Sequence, residues 1–259
     1  MRLPAAKKEL GQHFLVDENL LGVIGRLAEL APEDVVLEVG PGLGVLTTYL
    51  AERVAHVHAV ELDRSLEPTL AERLEPHTNV DLHFGDALRL DLASLDPAPT
   101  KLVANLPYNI ATPLVMESLD GLPAVGLWCV MIQREVADRF FAEPSTKAYG
   151  AVSVLVQLAA ERTGFHPVSR TVFRPRPNVD SALVAFRRRA LPAEFTHVKE
   201  MVVGAFAHRR KRLANSLELA GLAPRDHAAS ALEAIGRDPG ARAEELTPPE
   251  FVALAVALR

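Results

Sequence analysis

The sequence predicts an α/β domain built on a parallel sheet, followed by a small helical domain. Two observations predict it. From Val35 onward, short apolar runs alternate with amphipathic stretches, the pattern of strands joined by crossover helices. After Arg189 strand-like runs stop and helical spacing takes over, which puts a boundary there: 1–189 and 190–259. A chain of 259 residues, 49% hydrophobic, can bury one large core and one small one.

The elements follow in order. Val35-Val36-Leu37-Glu38-Val39 reads as a buried strand ending in the Gly-rich turn Gly40–Gly44, and Val45–Arg53 has helical spacing. His56–Val60, Val80–Phe84 and Lys101–Ala104 read as further strands, Thr112–Leu119 as a helix and Val125–Ile132 as an apolar strand. Ala151–Ala160 suits either a strand or a helix; Ser181–Phe186 is a late strand. Beyond Pro192, helices are expected over Glu194–His208, Arg212–Ala220, Pro224–Ile235 and Pro248–Leu258, the last two opening on proline.

Composition excludes several classes. The single cysteine, Cys129, cannot close an internal disulfide, which fits a reducing, cytoplasmic compartment. Met1–Leu10 has charge but no apolar core for a secretory signal. The longest apolar stretch, Leu122–Ile132, is broken by Pro123 and Gly126 and is far short of the ~20 residues of a membrane span. A net charge of −5 argues against a nucleic-acid partner until its distribution is considered. Between Arg170 and Arg212 lie eleven Lys/Arg and three acids, which leaves the rest of the chain at −13. A local basic face suffices for phosphate contact, because counterion release depends on the contacted patch.

Glu38-x-Gly40-x-Gly42-x-Gly44 follows a strand and opens a helix, so its backbone can turn tightly and approach a ligand. The spacing is not the Gly-x-Gly-x-x-Gly of dinucleotide sites, which argues against a pyrophosphate ligand. It resembles motif I of class I S-adenosylmethionine (SAM) methyltransferases, a Rossmann-like fold in which this loop accommodates the amino-acid end of the cofactor. Glu61, twenty-one residues beyond Gly40, ends the next strand where an acid can accept bonds from a ribose diol. Asp86 ends the third strand, in reach of an adenine amino group.

The fourth strand ends in Asn105-Leu106-Pro107-Tyr108. The amino nitrogen of adenine is a poor nucleophile because its lone pair is delocalised into the ring. An amide oxygen at Asn105 and a backbone carbonyl of Leu106-Pro107 can accept its two N–H bonds and aim the lone pair at a methyl donor. Tyr108 offers a face for a flipped-out base. No base is needed before transfer, so positioning carries the catalysis.

The run Asn105–Pro113 resembles the KsgA family, the rRNA adenine N6,N6-dimethyltransferases, and so do three other segments. These are Gly11-Gln12-His13-Phe14-Leu15, the block Phe173–Ala182, and Phe206–Leu217. The resemblance implies a SAM pocket lined by His13, Leu15, Gly40, Glu61, Asp86 and Asn105, with Asn105, Tyr108 and Phe173 on the target base. It implies dimethylation of two adjacent adenosines near the 3′ end of 16S rRNA, in a pre-ribosomal particle; a monomer is assumed. The nearest rivals are the large-subunit rRNA adenine methyltransferase of the macrolide-resistance type and a non-catalytic assembly or transcription factor on the same fold. Departures from the family are small: His13 stands where Asn is frequent, Ala111 where Ser is common, and Asn178 where Lys is usual.

Other residues have blander readings. The cations Arg209, Arg210, Lys211 and Arg212 read as a helical run for rRNA contact. Arg187–Arg189 end a strand in solvent. His56 and His58 share a strand face with no third ligand beside them, so no metal is expected. Cys129 reads as core.

Overall fold

A computed structural model describes Lys7 and residues 10–259; most of the Met1–Leu10 segment discussed above lies outside the described residues. The chain forms two compact units, residues 1–137 with 162–188, and residues 138–161 with 189–259. The break at 188/189 falls where the sequence changes character. The excursion 138–161, placed before that boundary by sequence, belongs with the later helices.

The first unit contains β1 (Phe14–Leu15), α1 (Asn19–Leu27), β2 (Val35–Val39), α2 (Val45–Ala51), β3 (His56–Glu61), α3 (Glu67–Leu74) and β4 (Val80–Phe84). It continues with β5 (Lys101–Asn105), α4 (Ala111–Gly121), β6 (Leu127–Gln133) and the start of α5 (Arg134–Phe140). After α6 (Ala151–Ala159), the undecided apolar stretch, which belongs to the second unit, come β7 (Ala160–Val168), β8 (Phe173–Arg174) and β9 (Ser181–Arg188). The main sheet has the order β4-β3-β2-β5-β6-β9-β7. Pairings from β4 through β6 are parallel, whereas β9 runs antiparallel to β6, with Leu127 opposite Arg187 and Gln133 opposite Ser181. The sheet is therefore mostly, not wholly, parallel.

β2 is buried along its length, and β6 is buried from Leu127 to Ile132. Such strands read as continuous apolar runs because both faces of the sheet are covered. Trp128 anchors β6: its indole N–H donates to Ser118 Oγ at 2.8 Å, and its ring stacks on Phe186. Arg188 closes the end of β9. Its guanidinium lies 4.8 Å from the Trp128 ring centroid and donates to the carbonyls of Val125, Leu119 and Leu122, so it serves the core and not the solvent.

The second unit adds α7 (Phe195–Ala207), α8 (Leu213–Leu219), α9 (Arg225–Ala234) and α10 (Pro248–Ala257). Phe251, Leu254, Val202 and Leu217 are buried there, and the buried Tyr149 donates its hydroxyl to the Leu246 carbonyl at 2.8 Å. Thr247 and Glu250 form a capping box at the start of α10, which Arg237 holds through two bonds to the Glu250 carboxylate. The cations at 209–212 are not helical; they sit in the turn between α7 and α8. Arg209 is paired with Glu244 at 2.9 Å, an acid too distant in sequence for local spacing to reveal. Among the described residues Arg210, Lys211 and Arg212 have no ion pair. No helix of the described residues is long and apolar enough to cross a membrane.

Candidate active site

The strand order reverses between β2 and β5, because β3 and β4 are added on one side of β2 and β5 and β6 on the other. Ligands in such sheets bind beyond the carboxyl ends of strands flanking that reversal. The main pocket lies there. Gly40, Glu61, Asp86 and Asn105 line it from the ends of β2, β3, β4 and β5, and His13, Leu15 and Tyr108 complete it.

Gly40 and Gly42 have φ of +79° and +59°, a region that side chains rarely adopt. A Cβ on Gly40 would lie 3.1 Å from Pro107 Cδ, so glycine there lets the β2 and β5 loops touch. Glu61 organises the same loop. One carboxylate oxygen accepts from Gly42 N–H at 3.1 Å and the other from Asp63 N–H at 2.8 Å. Burial raises the Glu61 carboxyl above its ordinary value, although the backbone donors of Asp63 and Gly42 pull it back. Asp86 accepts from Leu88 N–H and remains partly exposed toward the pocket.

Asn105 is oriented by its own amide. Nδ2 donates to the His13 carbonyl at 3.1 Å, which leaves Oδ1 as the acceptor end. The Pro107 carbonyl is already engaged by Ile110 and Ala111 N–H at the start of α4. The second acceptor of the Asn-Leu-Pro-Tyr turn is therefore the Leu106 carbonyl. Tyr108 has its hydroxyl 2.6 Å from Ser181 Oγ and its ring centroid 5.5 Å from that of His13. His13 Nδ1 donates to the Pro175 carbonyl at 2.8 Å.

One expected residue is not brought to the pocket. Phe173 is 2% exposed and packs in the apolar cluster with Leu15 and Leu183. Paired opposite Leu15 in the β1–β8 ladder, it holds the N-terminal strand in place and offers no open face to a base.

Two acids escaped the sequence reading as site residues. Asp63 accepts from Lys7 Nζ at 2.6 Å, Gln12 Nε2 at 2.9 Å and both Ser65 donors, and so ties the segment before β1 beside Glu61. Burial alone would raise its carboxyl, but these bonds outweigh it and hold the group below the usual carboxylate range. Glu38 is 1% exposed, lines the pocket, and its Oε2 has no hydrogen-bond partner. An acid inside an apolar strand run was the available signal. Burial pushes its carboxyl from 4.5 up to about 8; the Thr47 hydroxyl, short of a true hydrogen bond, opposes this in part, and the Glu61 charge adds to it.

That shift has a thermodynamic consequence. The folded protein keeps a proton that the unfolded chain loses between pH 4.5 and about 8. Glu38 therefore lowers stability as pH rises through that window, at up to about 1.4 kcal/mol per pH unit. Glu38→Gln carries no such proton. In urea melts its stability relative to wild type should improve from pH 5 to pH 8 and level off above; a pH-independent difference contradicts the assignment.

The pocket offers a row of acids, a buried unmatched carboxyl oxygen, a left-handed glycine loop and an amide oxygen at the mouth of β5. This set suits a cationic ligand bearing a diol and an aromatic amine, next to a site where an amine can be held for alkylation.

Comparisons with known proteins agree. The family model for ribosomal RNA adenine dimethylase matches residues 4–253. A protein of Rubrobacter xylanophilus named Ribosomal RNA small subunit methyltransferase A is 49% identical over 98% of this chain and 95% of its own. Among solved structures, a dimethyladenosine transferase from Plasmodium falciparum superposes with a TM-score of 0.77 at 23% identity, covering 93% of this chain and 96% of that one. The 23S rRNA methyltransferase ErmE superposes with a TM-score of 0.68 at 31% identity, covering 95% and 99%. With glycine loop, strand-end acids and Asn-Leu-Pro-Tyr turn all on one pocket, and a family model matching nearly end to end, this chain belongs to the ribosomal RNA adenine dimethylase family.

Proposed function

We propose that this chain dimethylates N6 of two adjacent adenosines near the 3′ end of small-subunit (16S) rRNA, using SAM. The orientation of Asn105 carries the reading: with Nδ2 committed to the His13 carbonyl, Oδ1 is the end available to an incoming amine.

SAM supplies an electrophilic methyl group on a sulfonium. The chain's residues do the rest. Glu61 has a free lone pair on each oxygen for the ribose hydroxyls, and Asp86 accepts from the adenine amino group of the cofactor. Glu38 presents its unmatched oxygen to the cationic amino-acid end, beside the backbone of Gly40 and Leu15. Asn105 Oδ1 and the Leu106 carbonyl accept the two N–H bonds of the target amine and direct its lone pair outward. Tyr108, braced by Ser181, gives the base a face to stack on, and the His13 ring flanks it. Positioning of this kind supplies most of the rate, because nucleophile and methyl group meet already aligned.

The first unit is the SAM-binding methyltransferase domain. The helical residues 190–259 form the rRNA-recognition domain, with Arg210, Lys211 and Arg212 on phosphates; Arg209, held by Glu244, contributes less. The substrate is rRNA in a pre-ribosomal particle, and the enzyme acts as a cytoplasmic monomer.

Methyl transfer from labelled SAM to undermethylated small subunits and, separately, to large subunits, followed by primer extension, tests this reading. Label on two neighbouring adenosines near the 3′ end is the expected result. Label on large-subunit rRNA would move the chain to the ErmE-like activity, and no label at all would leave only a binding role.

A further inference from the structure

We propose that the β3–β4 edge of the sheet holds a divalent metal ion, of the Zn²⁺ class, on His56, His58, Asp81 and His83. The two strands build the site by alternation. Side chains two apart on a strand share a face, which puts His56 with His58 and Asp81 with His83. β3 and β4 pair in parallel with His58 directly opposite Asp81. Two residues from each strand thus share one face: His56, His58 and Asp81 form the close group, and His83 lies beside His58.

The distances suit a metal. The ligand atoms of His56, His58 and Asp81 all lie within 4.8 Å of one another. His56 Nε2 is 3.2 Å from Asp81 Oδ2, and His58 Nδ1 is 3.2 Å from His83 Nε2 and 4.0 Å from Asp81 Oδ2. Ligands bound to Zn²⁺ at ~2.0–2.2 Å in a tetrahedron lie roughly 3.3–3.6 Å apart. Three imidazoles and one carboxylate are borderline donors that favour Zn²⁺ over Mg²⁺ or Ca²⁺.

The outer partner of His58 is also in place. Its Nε2 lies 2.9 Å from the Pro97 carbonyl, which can only accept, so Nε2 carries the proton and the Nδ1 lone pair faces the cluster. A ligating histidine is ordinarily fixed in this way, by donating its other ring N–H to a carbonyl or carboxylate. The site is anchored within and open without. His58 is 1% exposed, whereas the Asp81 side chain is 55% exposed, giving an ion a route in.

None of the four residues lines the main pocket, so the site is separate from methyl transfer. β4 is the edge strand of the sheet, and the metal would clip it to β3. The consequence is structural: the clipped strands are those that end in Glu61 and Asp86.

The test uses tag-free full-length protein stripped with a chelator and titrated with Zn²⁺ by calorimetry. One equivalent should bind with a Kd of about 1 μM or tighter. Asp81→Asn and His56→Gln alter the exposed side of the cluster, leave buried His58 alone, and should each weaken binding at least ~10-fold. His77→Gln, outside the cluster, should change nothing. Co²⁺ in place of Zn²⁺ should give the strong visible absorption of four-coordinate geometry in wild type and lose it in the double variant Asp81→Asn/His56→Gln. Wild type binding no more Zn²⁺ than that double variant would overturn the proposal. So would binding in the single variants equal to wild type, because the ion would then sit elsewhere.

Discussion

Asn105→Ala should stop methyl transfer, lowering kcat by at least ~10³-fold, while SAM binding should fall no more than ~10-fold. The asymmetry follows from what the side chain does. In the proposed arrangement Oδ1 accepts from the target amine and acts on the reacting nitrogen, so its loss should be felt in the transition state. Nδ2 fastens the His13 carbonyl and only braces the segment beside the pocket, so its loss is felt in binding. Asn105→Asp separates the two roles. It keeps an acceptor where Oδ1 stood but sets a carboxylate against the His13 carbonyl, so its rate should fall between wild type and Asn105→Ala. Single-turnover methylation of small subunits, with SAM affinity measured by calorimetry, checks both variants. A kcat for Asn105→Ala within tenfold of wild type would remove Asn105 from the chemistry.

Glu61→Ala should have the second largest effect, and it should fall on binding. The carboxylate receives the Gly42 and Asp63 backbone N–H groups and retains one lone pair per oxygen for a ribose diol. Removing it strips the ligand's acceptors and leaves two backbone donors without partners. Charge-assisted bonds contribute about 1.5–3 kcal/mol each, so SAM affinity should drop on the order of 10²-fold. Glu61→Gln keeps one oxygen and has nearly the same shape, so roughly a tenfold loss is expected. At saturating SAM, kcat should be much less affected than KM in both variants. Affinity for Glu61→Ala within threefold of wild type would mean that the ribose lies elsewhere.

The parts of this protein that were legible in its sequence are those in which one segment carries its own signal. β2 and β5 stand out because a buried parallel strand is a short apolar run between turns, and β3 and the edge strand β4 stand out as short runs that alternate apolar with polar residues. Gly40, Glu61, Asp86 and Asn105 follow from them as the residues at successive strand ends. The helices after Pro192 were legible from spacing alone, to within a residue or two of their ends.

What was not legible depends on lateral neighbours. His56 and His58 show no third ligand in sequence until β4 is laid beside β3 and brings Asp81 and His83. The cations at 209–212 look like a free helical run until the turn between α7 and α8 sets Arg209 against Glu244. Phe173 sits in a block that suggests a base-stacking aromatic, yet pairing with β1 buries it against Leu15. The short β1–β8 ladder has two residues per strand, too few to show an alternation. Ala151–Ala160 is ambiguous in sequence because an apolar run of ten residues has no clear period to distinguish helix from strand; its first nine residues form α6 and its last opens β7. Glu38 was read as part of a glycine motif, and only its burial without a partner marks it as a site residue.

A crystal structure with SAM, or a non-reactive analogue of it, bound tests the central claim most directly. The account predicts Glu61 on the ribose hydroxyls, Asp86 toward the adenine amine, and the methyl-bearing sulfur facing Asn105 Oδ1, with Nδ2 still on the His13 carbonyl. A donor bound away from the ends of β2 to β5, or an Asn105 oxygen turned from the methyl group into the protein interior, would contradict it.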